Sequence, residues 1–146
     1  MAEKVERCVC CGQTITDEQN TFQALKGFRE IVVNACHGGF GLNHEAEMEY
    51  LNRSGIAYTL KDRESRDDTA RFGPEIVVTN DPYWHVRDIP RDDPVLVQLV
   101  KDWGAEVNSG YSELKIVRIP GDVDWVIDEY DGFEWVAEQH RTWKAR

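Results

Sequence analysis

The stretch that most constrains this chain is Ile31-Val32-Val33-Asn34-Ala35-Cys36-His37-Gly38-Gly39-Phe40-Gly41-Leu42. An apolar run stops at Cys36-His37, three glycines fall within four positions, and a helical pattern starts near Asn43. The order reads as strand, tight glycine loop and helix N-terminus. Free backbone N–H groups and the positive end of the helix dipole face such a loop, so an anion can bind there. Neither the dinucleotide fingerprint nor the lysine-bearing phosphate loop is matched, so backbone and dipole alone would hold the anion.

The chain has 146 residues, 41% of them hydrophobic and five of them Trp, which is enough for one folded core. Residues 28–146 read as a single α/β domain, preceded by an N-terminal extension over 1–27. No apolar run is long enough to span a membrane, and Met1-Ala2-Glu3-Lys4 does not begin a signal peptide, so a cytoplasmic protein without a membrane partner is expected. The net charge of −10 argues against a broad footprint for duplex nucleic acid, so no sequence-specific nucleic acid is expected as a partner. A small phosphorylated ligand needs only one or two arginines and loop N–H groups.

Four cysteines occur, at 8, 10, 11 and 36. In the cytosol they are not expected to form disulfides. Cys8 and Cys11 make a C-x-x-C knuckle, half of a zinc ribbon. A closed zinc site needs four ligands, and no second knuckle exists. Cys36, His37 or His44 would have to complete it, or two chains would have to share the ion. The expectation is no cofactor, with a structural zinc at Cys8 and Cys11 as the alternative.

Along the chain, Phe28 to Ala35 reads as a strand buried on both faces and central in a sheet. Asn43 to Ser54 reads as a helix with His44, Met48 and Leu51 on its apolar side and Gly55 just past its end. Ile56 to Leu60 is a second strand, Lys61 to Gly73 a solvated mixed-charge loop, and Pro74 to Thr79 another strand. Asp93 at the N-cap and Pro94 behind it start a helix whose apolar face carries Val95, Leu96, Leu99, Val100 and Trp103. Leu114 to Ile119 and Val123 to Tyr130 alternate as strands, and Asp131-Gly132 turns the chain into a returning strand from Phe133 to Gln139. The fold class is α/β or α+β: a mixed β-sheet with a strand–glycine loop–helix–strand unit and a C-terminal β-hairpin.

Three groups of residues could carry chemistry. His37, Gly38, Gly39, Phe40 and Gly41 form the loop. Cys36 beside it reads better as a small core residue than as a nucleophile, because His37 points to the opposite face of an extended strand. Near the C-terminus, Arg141 can hold a phosphate in bidentate fashion, and His140 or Trp143 can stack on a base. The competing reading makes Trp143 an edge that closes the core. Between Asp128 and Glu134 the acids suit a metal or acid–base role only if a cleft collects them. Otherwise they are a solvated strand face around a hairpin turn.

Ile31 to Leu42, the Arg91-Asp92-Asp93-Pro94 helix start and Leu114 to Trp143 (LKIVRIPGDVDWVIDEYDGFEWVAEQHRTW) together resemble a family of small, mostly uncharacterised bacteriophage-encoded proteins. The resemblance covers about residues 29–143, and the cysteine knuckle is outside it. It implies a viral protein in the host cytosol with a counter-defence role. By analogy with acidic phage proteins of this size, it suggests an oligomeric sponge that captures nucleotide immune signals.

The leading expectation is therefore a protein that sequesters a nucleotide or cyclic nucleotide without cutting it. Gly38, Gly39, Phe40 and Gly41 would face phosphate, His37, His140 and Arg141 would add charge or hydrogen bonds, and Trp143 or Phe40 would stack on a base. A homo-oligomer would enclose the ligand better than one chain. The alternatives are a hydrolase or nuclease acting on such nucleotides, with His37, His140 and acids near Asp128, and a protein-binding inhibitor of a host complex.

Overall fold

The computed structural model describes residues 27–145 and two short strands upstream, β1 (Glu6–Arg7) and β2 (Thr14–Ile15), which pair antiparallel. Cys8, Cys10 and Cys11 lie outside the described residues. The architecture is α+β, with antiparallel strand pairs and a C-terminal β-hairpin.

The apolar run becomes β3 (Phe28–Asn34), whose last four residues are all buried. It pairs antiparallel with β6 (Leu114–Pro120), from Phe28↔Pro120 to Asn34↔Leu114. Among the described residues no strand ladder forms on its other edge, where the groups find different partners. Val32 N–H donates to the Arg91 carbonyl at 2.8 Å and Asn34 N–H to Glu134 Oε1 at 2.8 Å. Burial on both faces is thus achieved without a multi-stranded sheet, and the strands pair in twos.

After the glycine loop, α1 (His44–Arg53) starts at Asn43, whose side chain accepts from Ala46 N–H. Its buried residues are Ala46, Tyr50 and Leu51, and Met48 is only half-buried. The apolar stripe is rotated from the expected one because Tyr50 stacks on Trp84 and donates to Asp93 Oδ2 at 3.1 Å. His44 faces a different neighbour, described below.

Strands β4 (Tyr58–Lys61) and β5 (Glu75–Val78) pair antiparallel, and the segment between them is not all loop. It holds α2 (Arg66–Phe72), capped by Ser65, with acids in its first turn, Arg71 in its last and none of its residues buried. Asp93 caps α3 (Pro94–Trp103), accepting from the N–H groups of Val95 and Leu96. Leu96, Val97, Leu99 and Val100 are its buried residues, while Val95 and Trp103 are partly covered. These side chains join Val32, Leu51 and Leu114 in the core. No helix among the described residues is long and apolar enough to cross a membrane.

The hairpin β7 (Trp125–Tyr130) and β8 (Phe133–Glu138) turns at Asp131-Gly132, both at positive φ (50° and 84°), the geometry of a primed hairpin turn. The turn packs directly on the glycine loop. A Cβ on Gly132 would stand 2.9 Å from the His37 carbonyl oxygen and 3.0 Å from Gly39 N.

Candidate functional site

Asn34, the one polar residue closing the buried end of β3, organises the junction between loop and hairpin. Its Nδ2 donates to the carbonyls of Cys36 and Gly132, both at 2.8 Å, and its Oδ1 accepts from Glu113 N–H at 2.8 Å. Cys36 sits between two acceptors, its Sγ 3.3 Å from the Tyr111 carbonyl and 3.4 Å from Asn34 Oδ1. That is the setting of a weak S–H donor in a packed turn. Gly38 is crossed so closely by the 109–112 segment that a Cβ there would lie 1.8 Å from the Tyr111 carbonyl oxygen.

Two hollows flank the loop. The smaller, about 360 Å³, is lined by His37, Gly38, Gly39 and Phe40 together with Arg87, Arg91 and the hairpin acids Glu129, Asp131 and Glu134. Arg91 is bound to Glu134 and covers the Phe40 ring, with its guanidinium carbon 3.5 Å from the ring centroid. Phe40 therefore supports an arginine, and this face is closed to a base. Three carboxylates share the space with Arg87 and Arg91, and Arg91 is taken by Glu134. Gly41 faces away from this hollow, its carbonyl accepting from Ser112 at 2.8 Å.

His140, Arg141 and Trp143 do not line this hollow. They follow β8, whose far end pairs Glu138 with Trp125, a full strand length from the turn that meets the loop. Trp143 is 85% exposed and does not close the core. The acid-rich hairpin turn, and not the tail, is the second sequence candidate that the fold brings to the loop.

The larger hollow, about 870 Å³, opens on the other side, between the start of α1, the end of α2 and the 109–111 segment. Its walls carry His44, Glu47, Arg63, Arg71, Phe72 and Tyr111. Gly73, at φ +75°, brings the α2 end against α1: its Cβ position is 3.1 Å from the His44 ring. His44 Nε2 lies 2.7 Å from the Pro74 carbonyl oxygen, and Arg63 Nε donates to the Gly73 carbonyl at 3.0 Å. Neither Arg63 nor Arg71 forms an ion pair among the described residues. Phe72 and Tyr111 expose 49% and 73% of their surface, giving the cleft aromatic rims.

Burial pushes the Glu47 carboxyl above the usual carboxylate range, while the charges of His85, His44 and Arg63 pull it partly back. At the α1 N-terminus Asn43 takes the Ala46 N–H, and Glu45 and Glu47 stand in the first turn and on the cleft wall. Among the described residues no three His, Cys, Asp or Glu side chains cluster as metal ligands.

Sequence reasoning did not assemble Asn34, Arg91 and Glu134, nor Arg63, Arg71 and Glu47. The first trio carries one signal, a polar residue ending an otherwise apolar buried run. The second had a readable cue in Ser65 followed by Asp67 and Asp68, with Arg71 and Gly73 beyond, the layout of a short capped helix. Comparison with protein-family models, with curated proteins and with solved structures returns no match for this chain.

Proposed function

We propose that the protein binds a small phosphorylated ligand, a nucleotide, in the cleft between α1, α2 and the 109–111 segment. The observation that carries this reading is the pair Arg63 and Arg71, two cations without carboxylate partners among the described residues, set in a concave wall of a chain whose net charge is −10. Arginine offers planar, bidentate donors to phosphate oxygens. Tyr111 at the rim provides a flat apolar face on which a base stacks, while one face of the Phe72 ring is taken by Arg71, whose guanidinium carbon lies 5.1 Å from its centroid. A volume of about 870 Å³ accommodates a mononucleotide or a cyclic dinucleotide within one chain. In a phage-infected cell, the setting that the resemblance implies, such capture would lower the free level of a nucleotide immune signal.

The test is depletion of mono-, di- and cyclic nucleotides from solution by the purified protein, followed by chromatography of what heat denaturation releases. Depletion by the wild type that is lost in Arg63→Ala and Arg71→Ala, and kept in Arg141→Ala, supports the cleft. Depletion lost only in Arg141→Ala returns the site to the C-terminal tail. Absence of depletion for every nucleotide removes the reading and favours a protein partner.

A further inference from the structure

Resting on the reading that this cleft holds a nucleotide, we infer that it is also a hydrolytic site for phosphodiesters, with His44 as the base and Glu47 as the acid. The two residues are three apart on α1 and both line the cleft. The Pro74 carbonyl can only accept, so the neutral His44 ring keeps its hydrogen on Nε2, 2.7 Å away. The lone pair then resides on Nδ1, which no described residue engages. One nitrogen is held by a fixed carbonyl and the other is left unengaged, the arrangement of an oriented base. The ring lies so close to Gly73 that a Cβ there would stand 3.1 Å from it.

Glu47 complements it. Three charged groups act on its carboxyl: His44 from its own helix, His85 from the 3₁₀ turn beside it and Arg63 from the segment before α2. Burial outweighs them, so the carboxyl keeps its proton to higher pH than an exposed glutamate does. Glu47 and His44 thus set a proton donor and a proton acceptor on one wall of the cleft, the two roles that general acid–base hydrolysis needs.

In the step, a water oxygen attacks phosphorus while His44 Nδ1 takes its proton. The bond from phosphorus to the leaving sugar oxygen breaks, and that oxygen departs with the electron pair and accepts the Glu47 proton. The products are a phosphate monoester and an alcohol. The imidazolium proton returns to the Glu47 carboxylate through solvent, which restores both groups. Water is the only co-reactant, and nothing is oxidised or reduced. Arg63 and Arg71 would stabilise the charge growing on the non-bridging oxygens.

The experiment uses adenosine 2′,3′-cyclic phosphate and cyclic di-AMP with the full chain, reading binding by calorimetry and product by chromatography across the neutral pH range. The expected result is product from the wild type and a bell-shaped rate profile. Glu47→Gln should bind like the wild type, slow by about 100-fold or more and lose one limb of the profile. His44→Gln keeps an amide donor for the Pro74 carbonyl. It should fold and bind, with a similar rate loss. Binding of either probe without product overturns the hydrolytic inference and leaves the binding reading standing. Product formed equally by both variants overturns the assignment of acid and base. Absence of binding by both probes overturns inference and reading together.

Discussion

Arg91 grips Glu134 through two parallel hydrogen bonds, Nη1 to Oε1 at 2.6 Å and Nη2 to Oε2 at 2.8 Å. Glu134 Oε1 also accepts from Asn34 N–H, so one carboxylate ties the hairpin to both the α3 entry and the end of β3. The pair is largely shielded from water, where removing one partner strands the other charge. Glu134→Leu and Arg91→Met should each cost about 3 kcal/mol of stability. The double variant Arg91→Met, Glu134→Leu should cost less than the sum, because no buried charge is left alone. Urea denaturation in a double-mutant cycle checks this, and strict additivity would show that the pair does not act as a unit.

Asn34 should tolerate no apolar replacement. Its side chain satisfies two carbonyls and one N–H in a fully buried position. Leaving such groups unpaired costs roughly 1–3 kcal/mol each, so Asn34→Val should lower stability by about 3 kcal/mol or more. Thermal unfolding followed by near-ultraviolet circular dichroism would measure it, and a midpoint equal to the wild type would remove Asn34 from its organising role.

Gly38→Ala should be among the most damaging conservative changes in the chain. The added methyl would meet backbone, the Tyr111 carbonyl, which cannot swing aside as a flexible side chain could. The loop and the 109–112 segment would have to separate, at a cost on the scale of overpacking, about 1–3 kcal/mol or more. Gly110→Ala, at a glycine with open space around its Cβ position and, like Gly38, no positive φ, is the control for backbone effects alone. Equal melting temperatures for the two variants would rule out the close approach as the cause.

Glu47 makes stability depend on pH. Its folded-state pKa is raised, so the folded protein holds this proton more tightly than the unfolded chain does. The stability it contributes is complete below the ordinary glutamate range. It declines as pH rises through the raised folded-state value, where the buried carboxyl must ionise. Glu47→Gln removes this dependence and should stabilise the protein above that window, with little effect below it. Denaturation midpoints at a series of pH values test the sign; a variant less stable than wild type on the alkaline side would contradict it.

Helix α2 should be the first helix among the described residues to exchange its amide hydrogens. None of its residues is buried, and it is held by the Ser65 cap and by contacts at Gly73 and Pro74. Elements with few buried apolar contacts open at low free energy. Hydrogen exchange read by mass spectrometry should show α2 exchanging well before α3, and a bound nucleotide should slow α2 selectively. Equal protection of α2 and α3 in the free protein would refute the ranking.

Much of the fold was legible because local chemistry and tertiary packing agree. Ile31-Val32-Val33, Asp93-Pro94 and Asp131-Gly132 each specify a strand, a helix start and a turn through their own covalent constraints. The structure places all three as expected. What stayed hidden depends on distant partners. Nothing near Glu134 in the chain announces Arg91, and an alternating acidic strand reads as a solvated face until its one inward carboxylate is paired. The stripe of α1 rotated for the same reason, since Tyr50 is fixed by Trp84 and Asp93 rather than by its own helix. At the site, the glycine loop was legible as a tight turn, and its packing partners were not. Its glycines admit the Tyr111 carbonyl and the hairpin turn, and the cations that suit a phosphate stand on the segment that reads as a loop without periodicity.

That no residue of α2 is buried has an evolutionary meaning. A wall that contributes nothing to the core can change its sequence without putting the fold at risk. Selection on ligand choice and selection on folding then act on different parts of one small chain. Under pressure to recognise a new ligand, the region between Ser65 and Phe72 is free to diversify quickly.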